Sequence, residues 1–261
     1  MQLRIGIISD IHGNLPGLEA CLRTLDDEGV DQIVCLGDLV QFGPYPTEVI
    51  DLLQRNNIDT VQGNCDRAVA KGRDDTGDSF ENVHWDNLAF EMLQWTKDQI
   101  TPEQKRYLKK LPSELRFNVG SRRILCVHGL PGNISGSIKQ NVSSQVYDYM
   151  FSRNSCDILI LGHTHEMLLQ PRGNRLIINP GSIGGGTLPE EATVAVLNIN
   201  EENTTASVCW HRVPFDTVSF EKKYRHEGLP ETFLKCVLLG RDPRGKWHNS
   251  DYIRRQKWAE R

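Results

Sequence analysis

Five short apolar runs, each stopping at an aspartate, an asparagine or a histidine, constrain this chain more than any other feature. LRIGIIS stops at Asp10, QIVCLG at Asp38, IDTVQG at Asn64, RRILCV at His128 and DILILG at His163. Runs of this length without polar alternation read as strands buried on both faces. Helical patterns separate the first three. Asn14 stands as an N-cap ahead of Leu18, Cys21, Leu22 and Leu25 on one face, and PTEVIDLLQRNN carries Pro46 in its first turn. Strand–helix–strand–helix–strand requires right-handed parallel crossovers, which bring the strand ends to one rim of a sheet. Reactive groups in open α/β sheets gather beyond that rim.

The remaining chain extends the pattern. A helical insert is expected over about residues 81–110. NRLIINPG, ATVAVLNIN and TTASVCWHRV read as an antiparallel set, with INEENTT as a turn region between the last two, and a helical region follows from about 215 to 239. No internal repeat, low-complexity tract or linker divides the sequence. The expected fold is α/β: two packed mixed β-sheets flanked by helices, an αββα sandwich, as one domain over residues 1–261. A C-terminal helical and basic arm is expected over about 215–261.

Composition excludes several classes. No apolar run reaches the roughly 20 residues a membrane span needs, and MQLRIGIISD enters a strand pattern directly, with no charged-then-apolar leader. Cys21, Cys35, Cys126, Cys156 and Cys209 sit in apolar surroundings like small core residues, and the odd total of seven shows no CxxC spacing. A cytoplasmic location is expected, so the Asn-x-Ser/Thr triplets at Asn133, Asn141 and Asn203 carry little weight. A net charge of −4 argues against broad nucleic-acid binding. Residues 240–261 depart from that balance, with seven Lys/Arg against three Asp/Glu and Trp247, Tyr252 and Trp258 interleaved. That tail reads as an arm packing on the domain or on a second subunit, a homo-oligomer, ahead of docking a polyanion.

Collected, the strand ends present Asp10, His12, Asp38, Asn64, His128, His163 and His165. A structural zinc is closed by four ligands, commonly cysteine-rich. Seven mixed oxygen and nitrogen donors exceed that and suit two divalent ions with positions open to water and substrate. The donor mixture favours Mn, Fe or Zn over Ca.

The blocks DIH (10–12), GDLVQFG (37–43), GNCD (63–66), VHG (127–129) and GHTH (162–165) resemble the calcineurin-like metallophosphoesterase superfamily, and NPGSIG (179–184) resembles its small-phosphodiesterase branch. The resemblance implies that Asp10, His12, Asp38 and His165 hold one metal, that Asp38, Asn64, His128 and His163 hold the other, and that Asp38 bridges them. It implies hydrolysis by a metal-bridging hydroxide, with Asp38, Asn64 and His128 at its centre and no protein nucleophile.

Departures narrow the reading. The superfamily's protein serine/threonine phosphatases have GDxVDRG and GNHE, where this chain has Gln41 and Phe42, then Cys65 and Asp66. The missing arginine would clamp phosphate bidentately, and the missing histidine would help protonate the leaving group. Substrate contacts are expected from Arg67, from Tyr45 in the stiff QFGPYP loop and from His84 in the insert. Asn179 and Ser182 are expected as outer donors framing the site. The expected activity is a metal-dependent phosphodiesterase acting on a small-molecule phosphodiester or nucleotide phosphoanhydride. The alternatives are a phosphatase-like monoesterase and a metal-bound interaction scaffold with little turnover; a DNA nuclease fits the charge poorly.

Overall fold

Residues 2–78, 80, 82–138, 142–185, 188–202 and 205–240 are described by the computed structural model. The chain begins with β1 (Gln2–Ile8), α1 (Leu15–Asp27), β2 (Gln32–Cys35), α2 (Pro46–Arg55) and β3 (Asp59–Thr60). β1 pairs with β2 and β2 with β3, both parallel, as the crossovers demand. The Asn14 side chain accepts from Gly17 N at 3.0 Å and caps α1. Then come α3 (Asn64–Lys71), α4 (Val83–Gln99), α5 (Pro102–Lys110), β4 (Glu114–Val119), β5 (Arg122–Val127) and α6 (Ser144–Asn154). The chain continues through β6 (Ile158–Ile160), β7 (Met167–Arg172), β8 (Arg175–Pro180), β9 (Glu191–Asn200), β10 (Ala206–Pro214), α7 (Thr217–His226) and α8 (Glu231–Leu239).

Among the described residues these strands form two five-stranded mixed sheets, ordered β10-β9-β1-β2-β3 and β4-β5-β6-β8-β7. Their facing sides supply one core of Ile5, Ile7, Val34, Leu36, Ile124, Ile158, Ile160, Ile178 and Leu197. Alternate residues pack outward: Ile8 and Cys35 against the helices of the first sheet, Leu125 and Leu159 against α6. Burial on both sides explains why the strands are apolar throughout. The expected sandwich is present, with α4 and α5 in the expected insert. The basic tail beyond Gly240, with Trp247, Tyr252 and Trp258, lies outside the described residues, as do Asn141 and Asn203.

The structure differs from the sequence reading in four places. β3 has two residues, because Gln62 N donates to Pro112 O at 2.7 Å and leaves the ladder. Asn64 therefore opens α3, a helix the periodicity did not suggest. β8 does not join β9. A two-residue turn at Gly173 (φ 60°) folds it antiparallel onto β7, a strand not foreseen, and it runs parallel to β6. β4 and α6 were likewise not foreseen. Finally Cys209 is exposed, since β10 is an edge strand and that position points away from the core.

Candidate metal centre

Five of the seven nominated residues stand in the left-handed region: Asp10 (φ 52°), His12 (48°), Asp38 (53°), His163 (67°) and His165 (61°). Such positions cost non-glycine residues on the order of 1–3 kcal/mol each. Burial of each core isoleucine returns about 1.5–3 kcal/mol, so the sheets can carry the strain. The loops are also tied to one another. Asp10 N donates to Gly37 O at 3.0 Å, His12 N to Asp38 O at 2.9 Å and Gly162 N to His128 O at 2.7 Å. Gly63 and Gly184 are required by proximity: a Cβ on Gly63 would collide with Asp38, and one on Gly184 would lie 2.6 Å from His12 Cβ.

Asp66 is the keystone of this bracing. Its carboxylate accepts from Asp38 N, Leu39 N and Gly63 N, each at 2.9 Å. Burial and the Asp38 charge push its pKa up to about 7, against the backbone donors that stabilise its charge. Asp66→Ala strands three buried N–H groups and is expected to destabilise the fold by about 3 kcal/mol or more, read as a lower midpoint in urea. An unchanged midpoint would show that the loops hold themselves.

The seven side chains lie close together at the strand ends, and all seven are buried. Asp10 Oδ2 accepts from Ser9 Oγ and from His163 N at 3.0 Å. Its Oδ1 is buried with no hydrogen-bond partner and stands 3.4 Å from His165 Nε2 and 4.0 Å from His12 Nε2. His12, His128 and His165 each set Nδ1 against a carbonyl, those of Val40 (3.2 Å), Leu36 (2.7 Å) and Gly185 (3.2 Å). A carbonyl only accepts, so Nδ1 carries the proton and each Nε2 is turned inward. His12 Nε2 and His165 Nε2 stand 3.0 Å apart. His128 Nε2 meets Asn64 Oδ1 at 2.9 Å, a contact a protonated Nε2 satisfies and an ion between them would replace.

Asp38 Oδ1 accepts from Cys65 N at 2.8 Å. Its Oδ2 lies 3.3 Å from His128 Nε2 and 3.9 Å from His12 Nε2, so a single oxygen faces both groups. Donors that share one ion with bonds of about 2.1 Å stand about 3.0–4.2 Å apart, and these separations fall there. An orphaned carboxylate oxygen, with imidazole nitrogens and an amide oxygen turned inward at these separations, is what divalent cations would engage. The residues present fit the group.

The electrostatics agree. Burial alone would raise the Asp10 pKa, but the His165 and His128 imidazoles hold it down to about 2. Asp38 is held well below the carboxylate range, burial being outweighed by His128, His12 and His163. For His128 burial is outweighed by Asp38 and Asp10, and its pKa rises to about 10. For His12, burial and His165 together lower it.

The other nominated residues fare differently. Arg67 is half-buried on α3, within reach of the Asp38 field, and its side chain has no hydrogen bond or ion pair among the described residues. Tyr45 donates its hydroxyl to Ser219 O at 3.3 Å and so packs toward α7, and His84 is exposed on the first turn of α4. Asn179 donates to Gly162 O at 2.8 Å and Ser182 Oγ to Asp10 O at 2.9 Å, bracing two ligand loops. Two residues noted only as departures from the phosphatase motifs gain a place here, and one, Asp78, was missed. Phe42 lies edge-on to His12 at 5.1 Å between ring centroids. Cys65 brings its sulfur within 4.8 Å of donor atoms of His12 and Asp38. Asp78, in a glycine-flanked loop with no motif, accepts from Asn64 Nδ2 at 2.8 Å. Only its position after the GNCD block could have drawn notice.

Residues 3–202 match the model of the calcineurin-like phosphoesterase superfamily domain. An uncharacterized protein of Methanocaldococcus jannaschii is 26% identical over 260 residues, covering 91% of this chain and 98% of that protein. The phosphodiesterase YfcE of Escherichia coli is 25% identical over 228 residues, covering 79% and 98%. Among solved structures, a metallophosphoesterase from Sphaerobacter thermophilus is similar at 30% identity, with a TM-score of 0.69 and coverage of 91% of this chain and 99% of that one.

Proposed function

Because the chain belongs to the calcineurin-like phosphoesterase superfamily, hydrolases of phosphoric ester bonds, we propose that it is a dinuclear-metal phosphodiesterase. In this reading it cleaves a small phosphodiester or a nucleotide phosphoanhydride. The observation that carries the reading is Asp38 Oδ2, turned toward both His12 and His128 while Oδ1 is occupied by the backbone. Asp10, His12 and His165 would hold one ion, and Asn64, His128 and His163 the other, with Asp38 shared. Divalent cations bound there would lower the pKa of a water and neutralise charge on the phosphate oxygens.

The chain's own groups do the rest. The three Nδ1–H donors to carbonyls keep each imidazole from turning away. Asn64 contributes a neutral oxygen, which leaves net positive charge for an anionic substrate. Arg67, whose side chain has no partner among the described residues, would meet a phosphate oxygen. Phe42, where the phosphatases carry arginine, adds an apolar wall beside His12, which favours an ester with an organic group on both sides over a dianionic monoester. The name of the Escherichia coli relative supports the same choice. The mixed oxygen and imidazole donors favour manganese, iron or zinc.

Hydrolysis of a chromogenic diester and a chromogenic monoester, with metal content measured on the same sample, tests this. Two ions and preferential diester turnover are expected; two ions with preferential monoester turnover would overturn the diester assignment. Cys65 stands where the phosphatases have histidine, and burial with the Asp38, Asp78 and Asp66 charges pushes its thiol well above the usual range. A thiol so disposed to stay protonated is given no nucleophilic part in this reading. Cys65→Ala is expected to keep turnover within about threefold, the scale of a small packing change. Collapse of turnover with both ions still bound would assign the sulfur a chemical role.

A further inference from the structure

One buried carboxylate near the centre has no part in the scheme above. Asp78 ends the loop that leaves α3 at the left-handed Gly72 and turns again at Gly77 (φ 82°). Its side chain is 9% exposed, and so buried a carboxylate needs partners. Oδ2 accepts from Asn64 Nδ2 at 2.8 Å and from Thr76 Oγ1 at 2.7 Å. Oδ1 lies 3.8 Å from His163 Nε2, too far for a hydrogen bond and within the spacing of groups around one ion.

The consequence falls on Asn64. An amide can present either its oxygen or its nitrogen to the site. Here Asn64 Nδ2 is taken by Asp78 Oδ2 and, at 3.3 Å, by Thr76 O. Turning the amide over would set its oxygen against two acceptors and its N–H donors toward the ligand group. Asp78 and Thr76 thereby hold the oxygen inward, against His128 Nε2 at 2.9 Å. No other described side chain accepts from that amide except the weakly accepting sulfur of Cys65, at 3.8 Å.

We propose that Asp78 is a positioning residue of the metal centre: Oδ2 fixes the Asn64 amide with its oxygen inward, and the carboxylate lies beside His163. The Gly72–Asp78 loop must then be seated for the ion of Asn64, His128 and His163 to bind well. This rests on the two-ion reading above. Partners of this kind change metal affinity about 10–100-fold when removed.

Manganese titrations of the intact protein, read by electron paramagnetic resonance and equilibrium dialysis, test the proposal. Asp78→Ala is expected to weaken one of two ions at least about tenfold, to leave the other unchanged and to lose the spin-coupled spectrum of the pair. Asp78→Asn keeps an acceptor for Asn64 and is expected to recover most of that affinity. Wild-type affinity for both ions in Asp78→Ala overturns the proposal, as does an Asn variant as impaired as the Ala variant. Should Asp78→Ala not fold, the Asn64 side-chain amide signals of metal-free Asp78→Asn decide. Slowly exchanging, well-separated protons support the positioning and averaged ones overturn it. If the unaltered protein takes up a single ion, the two-ion reading fails on its own. Asp78 is then judged on that ion, weaker binding in Asp78→Ala supporting it and equal binding overturning it.

Discussion

Replacing Asp38 with asparagine is expected to lower diester turnover by at least about 10²–10³-fold, the loss seen when one preorganised electrostatic group is removed, while the fold survives. The two oxygens of Asp38 have separate duties. Oδ1 accepts from Cys65 N, and an asparagine oxygen can take that place. Oδ2 faces His128 Nε2 at 3.3 Å and His12 Nε2 at 3.9 Å, and the amide nitrogen that replaces it carries N–H donors. Those donors would bond to the lone pairs that the ions require and add no negative charge to offset two cations. In the metal-free protein the substitution also removes the charge paired with His128, so the melting temperature should fall moderately while the fold is retained. The measurements are turnover on a chromogenic diester, metal content and the melting temperature of the stripped protein. Near-normal turnover with two ions bound would sink the shared-oxygen arrangement. A collapse in melting temperature would show that Asp38 is chiefly structural.

How much of this was readable in advance depends on the range of the interaction. Strands β1, β2, β5 and β6 show in the sequence because both faces are buried, and an unbroken apolar run leaves few alternatives. Their ends therefore placed Asp10, Asp38, His128 and His163 together once the crossovers were taken as parallel. β4 and β7 lie at sheet edges with mixed burial, so they lack that signature. α3 was hidden because its start depends on Gly63 N donating to Asp66, an interaction inside a block that reads first as metal chemistry. The placement of β8 followed from a turn at Gly173, whereas its apolar run alone fitted either sheet. Asp78 and Phe42 were not legible for a different reason. Each acts through a partner far away in sequence or around a loop, Asn64 for one and His12 with Phe233 for the other. Tyr45 shows the converse: a residue beside a ligand in sequence can face another layer of the fold, here α7.

Stripping the metals is expected to abolish turnover, and reloading is expected to expel protons. In the metal-free protein the Asp38 and Asp10 charges raise the His128 pKa to about 10 against the effect of burial. His128 is therefore an imidazolium at neutral pH, paired with Asp38 at 3.3 Å. Because this pKa lies above the ordinary value of about 6.5, its stabilising contribution is fully present below that pH and is lost as pH rises through about 10. Asp10 runs the other way. Its pKa is held at about 2, so its contribution is present above the ordinary 3.8 and lost as pH falls through about 2. An imidazolium has no lone pair to give, so an ion can join His128 only as its proton leaves. Loading at pH 7 should release about one proton from this site, and log affinity should rise by about one unit per pH unit until pH nears 10. Calorimetry in buffers of different ionisation enthalpy reads that proton directly. Two ions bound without proton release would show that His128 is neutral before loading, and turnover that survives complete metal removal would rule out metal-dependent hydrolysis. Between those outcomes, proton release tied to the return of activity joins the His128–Asp38 pair to the ions that replace it.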